Sequence, residues 1–193
     1  YLLEANLRAD ASSRFLKGNR WGYFPSFSAG WRIDQEAFME GTRNWLDALK
    51  LRVSYGELGN NYLDSDYMAI ASYSQSNYSL GNVLQVGMTQ TALANGNLTW
   101  ESTAVTNVGL DFTVLNGRLS GTTEYFYKRS SDILIDLPAP LAHGNASIPT
   151  QNSAEVTNKG FELTLNWSDK INDFHYNIGT NVTFVDNKVT KFK

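Results

Sequence analysis

The sequence predicts an all-β chain, an antiparallel up-and-down meander that forms a section of a large transmembrane β-barrel. Three observations predict it: apolar and polar residues alternate, the alternating runs are about ten residues long, and long connections take turns with short ones. Over residues 47–56, Leu49, Leu51, Val53 and Tyr55 alternate with Lys50, Arg52, Ser54 and Gly56. Over 118–128, Leu119, Gly121, Thr123, Tyr125 and Tyr127 alternate with Arg118, Ser120, Thr122, Glu124, Phe126 and Lys128. Over 158–167, Phe161, Leu163, Leu165 and Trp167 face away from Glu162, Thr164 and Asn166. Over 174–186, Phe174, Tyr176, Ile178, Val182 and Phe184 face away from His175, Asn177, Asn181 and Thr183. The same pattern runs through 1–10, 23–33 and 104–114. A period of two puts each apolar set on one face of a sheet. About seven strands result, longer than the ~5–6 residues usual in globular sheets and close to the ~9–11 that cross a bilayer at a tilt.

The connections carry the third observation. Leu115-Asn116-Gly117-Arg118 reads as a tight hairpin, because Asn-Gly supplies the positive φ angles of a type I′ turn. A second short link covers 168–173, and 34–46 has room for a helical turn with Asp34 as its cap. The long connections lie near 11–22, 58–97 and 129–157. Membrane barrels alternate short turns with long loops in this way, whereas the Greek-key links of a soluble sandwich mix their lengths. Tyr23, Tyr55, Trp100, Tyr125, Tyr127 and Trp167 fall at or near strand ends, where amphipathic rings suit a headgroup layer. In a soluble β-sandwich the same rings would fill a core. Pattern alone leaves both readings open, the sandwich being a carbohydrate-binding module.

Composition narrows the function classes. A net charge of −3 over 193 residues, with no basic stripe, gives no reason to expect nucleic acid. The absence of cysteine removes disulfides, thiol nucleophiles and Cys-based metal sites. No apolar run is long enough for a transmembrane helix, so strands are the only route across a bilayer. The chain begins at Tyr1 without Met or a signal peptide, and both ends fall in strand-like sequence. The expectation is a segment of something longer.

Several segments resemble the SusC/RagA-like family of TonB-dependent outer-membrane transporters. The run from Asn19 through Arg20-Trp21-Gly22-Tyr23-Phe24-Pro25-Ser26-Phe27-Ser28-Ala29-Gly30-Trp31-Arg32 to Ile33 carries most of the likeness, preceded by Asp10-Ala11-Ser12-Ser13-Arg14-Phe15. Leu49-Lys50-Leu51-Arg52-Val53-Ser54-Tyr55-Gly56 with Gly59-Asn60, Asn97-Leu98-Thr99-Trp100-Glu101, Asn107-Val108-Gly109-Leu110-Asp111-Phe112, Tyr125-Phe126-Tyr127-Lys128 and Asn158-Lys159-Gly160-Phe161-Glu162-Leu163 follow in the family's order. Ala11 stands where the family usually has Gly, a small departure in a loop. The resemblance implies a partial barrel wall spanning 1–193, from the C-terminal half of a receptor that closes with about 22 strands around a plug. It also implies a bacterial outer-membrane location, contact with outer-membrane lipid, and a SusD-like surface lipoprotein as partner. The TonB complex would act through the missing N-terminal part, and the cargo would be an oligosaccharide or peptide nutrient.

One segment has a composition suited to a ligand. From Tyr67 to Trp100 there is no charged residue, yet Tyr, Asn, Gln and Ser abound. Tyr62, Tyr67, Tyr73 and Tyr78 are the candidate ligand-binding residues: their rings could stack on sugars while Gln75, Asn77 and Asn82 bond hydroxyls. The ordinary reading is a loop packed on its neighbours or on a partner. Catalytic, metal and cofactor sites are not expected. His143 and His175 lack a positioned partner, and Leu63-Asp64-Ser65-Asp66 lacks the rest of a calcium loop. Glu101, Asp111, Glu124 and Glu162 read as partners of Lys50, Arg52, Arg118 and Lys128 in cross-strand ion pairs. A β-rich hydrolase is disfavoured accordingly.

Overall fold

The computed structural model describes residues 1–138 and 146–192; His143 lies outside them. Nine strands form: β1 (Leu2–Ala11), β2 (Trp21–Arg32), β3 (Leu46–Asn60), β4 (Ser72–Leu80), β5 (Val83–Ala92), β6 (Glu101–Val114), β7 (Leu119–Ile135), β8 (Gln151–Ile171) and β9 (Phe174–Phe192). Seven of them make one sheet in the order β1-β2-β3-β6-β7-β8-β9, and every pairing is antiparallel. β4 and β5 form a separate two-stranded ribbon between β3 and β6. With that ribbon set aside, each strand pairs with the next in sequence. The architecture is an up-and-down meander.

The registers turn the alternation into two faces. One row crosses all seven strands through Leu3, Ala29, Val53, Val108, Tyr125, Phe161 and Phe184, and it is apolar throughout. The row one residue on runs through Leu2, Gly30, Arg52, Gly109, Glu124, Glu162 and Thr183, on the opposite face. In a soluble sandwich the apolar row would be covered by a second sheet. Here Phe27 is 55% exposed and Val108, at the centre of the sheet, 41%. Among the described residues no second layer packs on this face. The carbohydrate-binding sandwich is therefore not supported.

The connections alternate between the two ends of the sheet, with 33–45, 115–118 and 172–173 at one and 12–20 and 61–100 at the other; the 33–45 link is longer than the 12–20 loop, so end and length do not sort strictly. At the short-turn end, Leu115, Asn116 and Gly117 all take positive φ, one residue more than the expected type I′ turn, and the Arg118 N–H donates to the Leu115 carbonyl at 3.3 Å. β8 and β9 run closer together than the sequence suggests, leaving only Asn172-Asp173 as the turn, with Asn172 at φ 53°. The third link folds as two 3-10 turns, Ile33–Gln35 and Ala37–Thr42. Asp34 is not their cap. It sits inside the first turn, 5% exposed, and its carboxylate accepts from Arg32 Nε (2.9 Å) and Nη2 (2.7 Å), Gln35 Nε2 (2.5 Å) and the Leu49 N–H (3.2 Å). The Arg32 guanidinium holds this carboxyl well below the usual carboxylate range despite its burial.

At the other end the strands overrun the lengths read from alternation: β7 has 17 residues, β8 21 and β9 19. Backbone pairing continues there over 129–135, 151–157 and 187–192, where polar residues mix with Ile133, Leu134, Ile135, Val189 and Phe192. The same end holds the only closed apolar cluster found among the described residues. Phe15 and Leu98 have no exposure at all, and Leu63, Met68, Trp100 and Leu134 pack around them. Loops that are remote in sequence thus meet over one small core.

Candidate functional site

Two features at the long-loop end can meet a ligand: the loop cap with its projecting ribbon, and a hollow on the polar face beneath. The cap is held by many cross-loop bonds. Asn152 Nδ2 donates to the Thr99 carbonyl (2.9 Å), while the Thr99 N–H donates to Asn152 Oδ1 (3.0 Å). Asn95 Nδ2 reaches the Thr150 carbonyl at 2.9 Å, and Asn19 Nδ2 the Leu98 carbonyl at 3.3 Å. Arg14 pairs with Asp66 at 2.7 Å and bonds the Asn61 carbonyl. The acidic turn at 64–66 is thereby tied to a cation of the chain itself.

The ribbon rises from this cap. Gly81 (φ 59°) and Asn82 (φ 63°) make its two-residue turn, the geometry that matches the twist of a hairpin. Strand parity puts Tyr73, Gln75 and Asn77 on one face with Leu84, Val86 and Met88. Tyr78 lies on the other face, where its ring covers Gly87: a Cβ added there would stand 2.9 Å from Cε1. Tyr62 and Tyr67 precede the ribbon, in the link after β3. All four tyrosines are more than half exposed. The fold joins Tyr73 to two of the amide side chains but turns Tyr78 away from them.

The hollow, of about 730 Å³, lies on the polar face of β1, β2, β3 and β6. Small residues make its floor, with Ser26 beside Gly56 and Ser28 beside Ser54. The charged lining is net acidic, Glu4, Asp10 and Glu57 against Arg8: Arg8 pairs with Asp10 at 2.5 Å, and Asn6 donates to Glu4 at 2.8 Å. Below it Arg52 grips Asp111 through two bonds of 2.7 and 3.0 Å and reaches Glu124 at 3.3 Å, while Thr122 also donates to Asp111. Gly109 separates Arg52 from Glu124 in the register. Its lack of a side chain is what permits that reach, since a Cβ would lie 2.9 Å from Arg52 Nη2. The arrangement offers hydroxyls, an ion pair and the further carboxylates of Glu4 and Glu57.

Sequence reasoning missed the cap. Trp100, expected at a headgroup layer, instead packs against Phe15 and Phe24 with ring centroids 5.5 Å away in each case. Phe15, Trp100 and Leu98 show no periodicity, so no local signal could have joined them.

An exposed apolar sheet face, a polar opposite face and an alternation of turns and loops are the features of a membrane-barrel wall. A family model described as "TonB dependent receptor-like, beta-barrel" matches residues 1–192. The chain belongs to that family. It is 35% identical to the TonB-dependent receptor SusC of Bacteroides thetaiotaomicron over 196 residues, covering 99% of this chain and 19% of that protein. It is 37% identical to the TonB-dependent receptor P26 of Formosa agariphila over 166 residues, covering 86% of this chain and 16% of that one. In structure it matches the RagAB peptide importer in its closed-closed state, with a TM-score of 0.84 at 29% identity over 98% of this chain and 20% of that one. The siderophore receptor PirA from Pseudomonas aeruginosa, at 14% identity and a TM-score of 0.59, shares the fold. The chain spans about a fifth of the length of SusC and of the RagAB chain. The family is one of receptors and transporters, not enzymes, and TonB-dependent receptor barrels are outer-membrane proteins.

Proposed function

We propose that this chain is a section of the wall of an outer-membrane TonB-dependent importer of glycans. One observation carries the reading: SusC resembles it along 99% of its length at 35% identity. The seven-strand register supports it by presenting apolar side chains to lipid and polar ones inward. In this reading the tight turns face the periplasm and the loop cap with its ribbon faces outward. The complete barrel has about 22 strands around a plug, and the TonB complex acts through a part of the polypeptide beyond this chain. A SusD-like lipoprotein delivers cargo to the loop cap.

A glycan is favoured over a charged cargo because 67–100 carries no charge and is rich in Tyr, Asn, Gln and Ser. Tyr62, Tyr67, Tyr73 and Tyr78 are the rings that would stack on sugar faces. The test is uptake of labelled oligosaccharides by cells carrying the complete receptor or lacking it, together with titration of the purified receptor. Loss of uptake on deletion is expected, and Tyr73→Ala is expected to weaken binding about 5- to 30-fold. Equal uptake in deleted cells sinks the importer reading. Unchanged affinity in Tyr73→Ala and Tyr78→Ala removes stacking from the ribbon.

A further inference from the structure

We propose that Phe24 is a positioning residue that latches the extracellular loop cap to the inner wall of the barrel through Trp100; the placement of inside and outside rests on the importer reading. The pairing of β2 with β3 stops at Ser26 and Gly56, although β2 continues outward to Trp21 and β3 to Asn60. The Phe24 ring fills the region where the two strands part. It is 8% exposed, lines the 730 Å³ hollow, and lies so close to two glycines that neither accepts a side chain. A Cβ at Gly22 would stand 2.5 Å from Phe24 Cζ, and one at Gly59 would run into the same ring.

The cap sits on this wedge. Trp100 meets Phe24 edge-on, its plane at 68°, and meets Phe15 on its other side, tilted by 56°. Trp100 Nε1 donates to the Arg20 carbonyl at 3.0 Å, and Arg20 Nε donates to the Phe15 carbonyl at 3.1 Å. Three aromatic rings and two charge-free or charge-assisted bonds therefore run unbroken from the hollow to the fully buried Phe15. The loops 12–20 and 93–100 keep their posture only while Phe24 keeps its place. Because Phe24 also borders the hollow, displacement of its ring from the inner side loosens the loops that first meet cargo.

The experiment uses the complete receptor with Phe24→Ala, Phe24→Leu and Gly59→Ala, and Gly41→Ala as the control, since Gly41 has nothing within 4 Å. Amide exchange in 12–20 and 93–100 is expected to accelerate at least about tenfold in Phe24→Ala and Gly59→Ala, while the middles of β3 and β7 stay protected. Phe24→Leu, which fits the space the ring leaves, is expected to keep more of the protection than Phe24→Ala. Uptake is expected to show a raised KM, about 3- to 10-fold, with the maximal rate retained. Unchanged loop exchange in both loosening variants overturns the latch, as does equal acceleration throughout β2 and β3, which reports packing damage. Faster loop exchange in a receptor that takes up no oligosaccharide leaves the latch standing and removes only the importer reading.

Discussion

The wall and the loop cap draw on the same apolar residue types and treat them in opposite ways. On the wall, Val53, Val108, Phe161 and Phe184 lie open across the whole sheet; in the cap, Phe15 and Leu98 are sealed from any solvent. The difference is one of surroundings. Lipid tails are as apolar as the side chains they touch, so the wall gains nothing by hiding its Val and Phe and owes its order to closed backbone pairing. The cap stands in water and has to bury its rings as any small soluble domain does. Exposure of a phenylalanine therefore means membrane in one half of this molecule and would mean damage in the other.

Substitutions that suit one solvent and offend the other sharpen this contrast. Leu98→Ala should have the largest effect, about 2–5 kcal/mol for an emptied buried leucine. It should appear as faster proteolysis of the loops in the complete receptor, with the unfolding of the barrel unmoved. Val108→Arg should act the other way, costing the wall about 2–4 kcal/mol for a cation facing the bilayer interior. Denaturant titration of the receptor in lipid vesicles would read it, and loop protection should stay normal. If either change spread to the other region, the separation of wall from cap would fail.

Asp34 supplies a smaller effect at the short-turn end of the sheet. Asp34→Asn should cost about 1–3 kcal/mol at neutral pH, because it takes the carboxylate from Arg32 and the Leu49 N–H. The folded carboxyl titrates below its unfolded value of about 3.9. Its contribution is therefore complete above that value and fades as pH falls toward the lower, folded one. Stability of wild type and variant, measured from pH 7 down to 2, should converge only in the acid range. A gap that closes between pH 7 and 5 would mean that another group is titrating.

Legibility in the sequence follows the same division. Leu49 through Tyr55 and Phe161 through Trp167 announce their strands because lipid on one side and a polar interior on the other impose a strict two-residue rhythm. Asn116-Gly117 announces its turn because few residues accept positive φ in succession. The ribbon was harder to read: Tyr, Ser, Asn and Gln over 72–79 resemble an ordinary loop, and only Gly81-Asn82 and the alternation of Leu84, Val86 and Met88 hint at pairing. The cap was illegible. Phe15 and Leu98 are 83 residues apart, and nothing local tells either that the other exists. The hydroxyl-floored hollow was also invisible, since it depends on four strands coming into register.

Gly109 gives the network around Arg52 a further role in assembly. A strand that slid by two positions would still turn its greasy side outward, so hydrophobicity alone could not reject the error. Arg52 can hold Asp111 and Glu124 together only when β3, β6 and β7 are all aligned correctly, because its guanidinium must pass over the bare glycine of the middle strand. Three carboxylate contacts thus work as a checksum on the threading of the wall, one that a mis-slid strand would fail.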